Sequence, residues 1–285
     1  MSTLREVPAE AVIASHQLML RAGVMRKLGN GLFVYLPFGL RAFRKVENII
    51  RQEMDAIDGQ EILMPVVSGA DLWRQSGRYD KVDVLTKFKS RAGADYVLNP
   101  THEEVVVDFV KSVLETYRQL PFMVYQIQTK FRDELRVRAG LIRTREFIMK
   151  DAYSFATCQE ELDKEYQKMW NAYTRIFNRC GLETRMVRSD SGAIGGSLSH
   201  EFMVLVETDS GENDVLYCDS CDYASNTNHA ETQPVQANTD GGFSKFELVS
   251  TPNIKTIEEV SEFLKVEQSC ICKALVYIAD GKPVQ

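Results

Sequence analysis

Residues 131–155 read FRDELRVRAGLIRTREFIMKDAYSF, and this stretch decides how the rest of the chain is read. It opens on Arg132 and Glu134, passes through a loop carrying Arg136, Arg138, Arg143 and Arg145, and closes on an aromatic-bearing strand that includes Phe147. Side chains two residues apart share one face of an extended strand. Arg132 and Glu134 are therefore expected to project together into one cleft. A guanidinium on a rigid strand suits a phosphate oxygen, because its planar fork of donors is always charged. A neighbouring carboxylate can accept from an exocyclic amine, and the Phe147 ring offers a face for a base. These residue types compose a nucleotide site. The same spacing also fits a solvated hairpin laced with salt bridges, and spacing alone leaves both open.

The flanks narrow the reading. Residues 100–104 read Pro-Thr-His-Glu-Glu, residues 126–134 read QIQTKFRDE, and residues 195–202 read GGSLSHEF. With residues 131–155 they resemble the class II aminoacyl-tRNA synthetases: F-R-x-E, a loop and a strand with an adenine-stacking Phe form motif 2 of that family. The flanking runs are similar to the bacterial prolyl type, and the likeness extends from about Leu18 to the last residue. It implies an α+β catalytic core, a mostly antiparallel sheet flanked by helices, followed by the start of an α/β editing insertion.

The activity implied is that of a proline--tRNA ligase: ATP-dependent activation of L-proline to the adenylate, then transfer to tRNA(Pro). By resemblance, Arg132 is catalytic and holds the α-phosphate and the amino-acid carboxylate. Glu134 meets the adenine side, Phe147 stacks on the base, and Arg143 lies near the terminal phosphates. Thr101 and Glu103 match a T-x-E loop that grips the imino group of proline, with His200, Glu201 and Phe202 in the wall of that pocket. Arg136 corresponds to a contact with the tRNA acceptor stem, and Lys273 to a lysine of the editing insertion. Editing has a physical reason, since a proline-sized pocket rejects smaller amino acids weakly by binding alone. Mg2+ is expected to bridge the ATP phosphates.

Composition bounds these readings. At 285 residues the length suggests about two domains, and no apolar run approaches the ~18 residues of a membrane span. No basic region followed by an apolar stretch opens the chain, so a cytoplasmic protein is expected. A net charge of -6 argues against a general nucleic-acid coat protein. Residues 130–150 nevertheless hold seven cations against three anions, a basic island suited to one localised polyanion. Of the six cysteines, Cys218 and Cys221 have the spacing of half a zinc site. Cys270 and Cys272 make a poor second half, and free thiols are the expected state.

Periodicity places a helix over 16–28 with Leu18, Leu20, Val24 and Leu28 buried, and a second over 39–55 with Leu40, Phe43, Val46, Ile50 and Met54 on one stripe. A strand over 61–65 follows. That helix, strand and proline resemble motif 1, which forms the homodimer interface in the family. Strands are expected over 96–99, 122–131, 145–155, 182–187, 199–207, 214–217 and 273–279, and helices over 105–117, 159–180 and 256–264. The predicted core is 1–223. The insertion begins at 224, and its last strand has no partner strand. The Gly-x-Gly-x-x-Arg signature of motif 3 and an anticodon-binding domain are not found, so the isolated chain is expected to exchange little pyrophosphate. A non-catalytic synthetase-like paralogue that binds nucleotide, amino acid or a partner is the competing reading.

Overall fold

Helix α1 (Ala14–Arg21) ends sooner than the periodicity suggests. Gly23 takes φ 69°, open to glycine without a Cβ penalty, and the chain turns into the antiparallel hairpin of β1 (Met25–Gly29) and β2 (Leu32–Tyr35). The helix expected over 16–28 is corrected accordingly: Leu20 is buried, but Leu18 and Leu28 are exposed because no helical stripe connects them. Helix α2 (Pro37–Asp55) begins on a proline, whose fixed φ and missing N–H suit the first turn. Its Met54 is buried and Ile50 packs beside it, whereas Leu40 and Val46 remain exposed. Strand β3 (Gly59–Glu61) is shorter and earlier than expected, and irregular chain covers 62–65.

Next come β4 (Val67–Gly69), α3 (Ala70–Gln75), β5 (Thr86–Lys89) and β6 (Asp95–Leu98), the strands ordered β4-β6-β5 in an antiparallel sheet over the buried Trp73. Helix α4 (Glu103–Val113) leads to β7 (Phe122–Phe131) and β8 (Glu146–Phe155). These two pair antiparallel from Phe122–Phe155 to Phe131–Glu146, and β3 adds parallel to β7. Helix α5 (Gln159–Arg179) ends in a left-handed Gly181, whose amide reaches the Asn178 carbonyl while that of Leu182 reaches Phe177. Strands β9 (Thr184–Arg188), β10 (His200–Val204), β11 (Val215–Tyr217) and β12 (Ala224–Asn226) form a sheet ordered β10-β9-β12-β11. The fold is α+β with predominantly antiparallel sheets.

The computed structural model describes residues 3–189, 199–206, 211, 214–221, 223–227, 230, 247–252, 254 and 256–271, and the backbone of 277–279 and 282–284. Two compact units divide the chain, Met1–Glu231 and Thr232–Gln285. The expected boundary after 223 falls just before β12, a buried strand paired with both β9 and β11 and so part of the first unit. The second unit contains α6 (Ile257–Leu264), opened by a capping box in which Thr256 and Glu259 satisfy each other's backbone amides. Strand β13 (Tyr277–Ala279) pairs antiparallel with β14 (Lys282–Val284), so the expectation of an unpartnered last strand is corrected. Lys273 and residues 190–198 lie outside the described residues.

The β7–β8 hairpin has two different faces. Met123 and Tyr125 pack with Met54 of α2, and Ala152 and Met169 close that side. On the other face Val124 packs with Val106 and Val110 of α4, and polar residues then take over toward Arg132. Helices α2 and α5 are tied by Glu53, 8% exposed, which accepts from Arg175 Nε at 2.6 Å and Arg179 Nη1 at 2.8 Å. Those bonds, Arg175's first, hold the Glu53 carboxyl below its ordinary value. A depressed carboxyl pKa gives stability present above the unfolded value and lost as pH falls through the folded one. Glu53→Gln is expected to cost ~1.5 kcal/mol, the lower end for bonds to charged groups because both arginines stay partly exposed. Urea midpoints measured from pH 7 down to 3 should show a shallower acid loss in the variant.

Candidate nucleotide and amino-acid site

A cavity of ≈ 530 Å³ opens at the end of the β7–β8 hairpin, and Arg132, Glu134, Arg143 and Phe147 all line it. Strand alternation is not what unites Arg132 with Glu134. The β7 ladder makes its last bond from the Arg132 amide to the Arg145 carbonyl, and the Glu134 amide then folds back onto the Arg132 carbonyl at 2.7 Å. A tight turn therefore delivers the carboxylate. The Arg132 guanidinium carbon lies 5.3 Å from the Phe147 ring centre, and Nε donates to the Pro100 carbonyl at 3.3 Å. Burial lowers the Arg132 pKa, while the Glu103 and Glu134 carboxylates oppose the shift. One cation thus touches the aromatic ring and the loop that bears Thr101 and Glu103.

Glu134 is engaged. Its Oε1 accepts the Arg136 amide at 3.0 Å, and its Oε2 pairs with Arg143 Nη2 at 2.9 Å. The Arg136 amide is the larger cause, followed by Arg143, of a Glu134 pKa below the usual carboxylate range. The loop beyond is pinched by an Arg138–Arg143 bridge and turns through Ala139 and Gly140 at φ 56° and 65°. A Cβ on Gly140 would stand 2.9 Å from the buried His16 ring, so α1 fixes the base of this loop. The Arg136 side chain is exposed.

The Thr101 hydroxyl donates to Glu103 Oε2 at 2.5 Å. Arg78 Nη1 stands 3.5 Å from Glu103 and 2.9 Å from the buried Glu104. Both carboxylates sit in the first turn of α4, where the exposed backbone amides favour negative charge. Between Thr101 and Glu103 the His102 side chain is fully buried. Its Nε2 is 2.9 Å from the Pro65 carbonyl and its Nδ1 2.7 Å from Lys130 Nζ. Those partners set the tautomer: the ammonium can only donate and the carbonyl only accept, so the ring is neutral with its proton on Nε2. Burial first, then the Lys130 charge, lowers the His102 pKa accordingly.

Beneath that loop Lys130 Nζ pairs with Asp151 Oδ1 at 2.8 Å, and Asp151 Oδ2 accepts from Tyr153 at 2.6 Å and Gln126 at 2.9 Å. Burial pulls the Lys130 pKa down while Asp151 opposes it. The Tyr153 oxygen in turn accepts the His102 amide at 3.2 Å, and Gln126 Oε1 accepts the Met64 amide at 3.0 Å. Sequence reading missed this network. Its signal was present: Gln126, Gln128, Lys130 and Arg132 recur at period two on a strand whose ends are apolar, an arrangement that requires buried polar groups to find partners.

His200, Glu201 and Phe202 do not line the Arg132 cavity. They lie on β10, paired with β9, and the rings of His200 and Phe202 pack on α5. Phe202 is 6.2, 5.5 and 5.3 Å from the rings of Trp170, Tyr173 and Phe177. His200 Nδ1 is 2.8 Å from the Tyr166 hydroxyl, and burial lowers its pKa. His200 borders a separate cavity of ≈ 550 Å³ that also includes Arg185 and Arg188. The Ser220 amide donates to Cys218 Sγ at 3.3 Å, and this bond, then that with Cys221, lowers the thiol pKa. Cys218 and Cys221 are free thiols, and among the described residues no three His, Cys, Asp or Glu side chains converge as metal ligands. Cys272 lies outside the described residues. No described helix is long and apolar enough to cross a membrane.

Residues 86–273 match the family model of the tRNA synthetase class II core domain (G, H, P, S and T). The chain is similar to a proline--tRNA ligase of Halothermothrix orenii, 53% identical over 99% of this chain and 50% of that protein. It spans about half the length of the curated relatives it matches. A prolyl-tRNA synthetase of Cryptosporidium parvum, solved with L-proline and AMP, shares the fold at TM-score 0.58 and 15% identity, over 65% of this chain and 38% of that one. A threonyl-tRNA synthetase structure from Cryptosporidium parvum Iowa II matches at TM-score 0.56 and 24% identity, over 61% and 44%. Fold likeness by itself therefore does not choose the amino acid.

Proposed function

The chain belongs to the class II tRNA synthetase core family, and from that membership we propose that it carries the ATP- and proline-binding part of a cytoplasmic proline--tRNA ligase. One observation carries the reading: Arg132 joins the Phe147 cavity to the Thr101–Glu103 loop through contacts to both. In this reading the proline carboxylate attacks the ATP α-phosphate in line and pyrophosphate leaves. Arg132 neutralises the charge that develops on the α-phosphoryl oxygens and orients the attacking carboxylate, a task of positioning and electrostatics. Glu103 and Thr101 hold the secondary ammonium, and Phe147 stacks on adenine. With Arg132 over one face of Phe147, the base takes the other face or displaces the guanidinium. Glu134 meets the base edge with the lone pairs that Arg143 and the Arg136 amide leave free.

The curated relatives named proline--tRNA ligase support this choice of amino acid, and the Cryptosporidium relative holds proline and AMP together on the same fold. Exposed Arg136 on the basic loop suits the tRNA acceptor stem. Exposed Phe38, Leu40 and Val46 on α2 suit a homodimer contact. Residues 224–285, whose first strand β12 still belongs to the first unit, are the proposed start of the editing insertion, with Lys273 within it. Magnesium travels with the ATP phosphates: among the described residues Glu134 is the one carboxylate lining the cavity, and it is already paired.

The test is ATP–pyrophosphate exchange by protein in which this chain is completed with a motif 3 segment, run across the twenty amino acids. Proline should stimulate exchange about 100-fold more efficiently than alanine or threonine, within the range that a missing methylene or two allows. Equal stimulation by threonine, or none by proline, contradicts the reading.

A further inference from the structure

We infer that His102, lying between the two proposed proline ligands, is the positioning residue of the amino-acid site, locked in place by the buried Lys130–Asp151–Tyr153 network. The inference rests on the ligase reading above and adds how its proline ligands are fixed. His102 touches no substrate in this account. It acts through Thr101 and Glu103.

Thr101 and Glu103 are adjacent to the one residue of the loop whose backbone and ring are both held. The His102 amide is bound by Tyr153 from β8, its Nδ1 by Lys130 from β7 and its Nε2 by the Pro65 carbonyl. The same carbonyl accepts from Asn99 Nδ2 at 3.1 Å, so the loop is pinned just before Thr101 as well. Lys130 stands two residues before Arg132 on β7, and Asp151 stands four after Phe147 on β8. Lys130 and Asp151 are themselves an ion pair at 2.8 Å. The network therefore fixes the amino-acid loop against the two strands that carry the proposed nucleotide residues.

Its composition fits this task better than plain cohesion. A buried ion pair is weak support for stability compared with apolar residues of similar volume. Placed here, it gives the loop one discrete position, because the His102 amide, both His102 ring nitrogens and Asp151 Oδ2 each have a directional partner. A shift of ~1 Å in a substrate-positioning group can cost ~100-fold in rate, which makes such rigidity useful beside Glu103.

The experiment compares His102→Ala, His102→Gln and Tyr153→Phe with wild type in pyrophosphate exchange, reading the KM for proline and for ATP separately. His102→Ala should raise the proline KM by about 10–100-fold and leave the ATP KM within about twofold. His102→Gln keeps an amide donor that can reach the Pro65 carbonyl and should recover part of the loss. Tyr153→Phe removes only the hydroxyl and should raise the proline KM by several-fold, which keeps the test decisive should His102→Ala fail to fold. Proline and ATP KM values that stay unchanged, or that rise together, overturn the positioning role. Absence of proline-dependent exchange from wild-type protein completed with a motif 3 segment overturns the ligase reading instead.

Discussion

Arg132→Ala is expected to lower proline-dependent pyrophosphate exchange by about 10²–10³-fold, the usual cost of removing a preorganised donor from developing negative charge. The half-buried guanidinium has no substitute. Arg143 is committed to Glu134 at 2.9 Å, and Arg78 faces Glu103 and Glu104. Arg132→Lys should restore little, since an ammonium cannot offer a planar fork to two oxygens. The loss should appear in kcat as well as in both KM values, because Arg132 is proposed to meet both substrates. An alanine variant that keeps more than about a tenth of wild-type kcat/KM would place the phosphate contact elsewhere.

Lys130→Met should have the largest effect on stability, about 3–5 kcal/mol, because it strands a buried carboxylate. Lys130 is fully buried and Asp151 nearly so. Without the ammonium, Asp151 keeps Tyr153 and Gln126 as donors, and His102 loses its Nδ1 partner. Lys130→Met with Asp151→Leu should recover at least half of the lost stability, since removing both charges avoids the uncompensated one. Urea unfolding followed by far-UV circular dichroism measures both. A single variant within 1 kcal/mol of wild type would show that water reaches Asp151.

Much of the fold was legible because its decisive elements are long and strongly patterned. Strand β7 occupies 122–131 as expected, and α5 runs within a residue of its predicted bounds, closed by Gly181. Short elements were not legible. Strands β4 and β5 span three and four residues and carry too few apolar positions for a period to register. The α1 misreading came from leucines at helical spacing that continue past Gly23 into a strand. At the site, Arg132, Glu134, Arg143 and Phe147 were identified from residue chemistry and family resemblance together, and one cavity gathers them. His200 to Phe202 were placed by motif alone; they do not line the Arg132 cavity, and the rings of His200 and Phe202 pack on α5. Lys130 and Asp151 escaped notice because charges at alternate strand positions read as a solvated face until burial is known.

In the proposed ligase, one guanidinium, that of Arg132, bridges nucleotide and amino acid. A crystal structure of the protein with a non-hydrolysable prolyl-adenylate analogue tests it most directly. The phosphoryl mimic should lie within hydrogen-bond reach of Arg132, with the adenine stacked on Phe147 and the pyrrolidine nitrogen at Glu103. An analogue bound in the cavity beside Arg185 and His200, with Arg132 still resting on Phe147 and free of ligand, would contradict it.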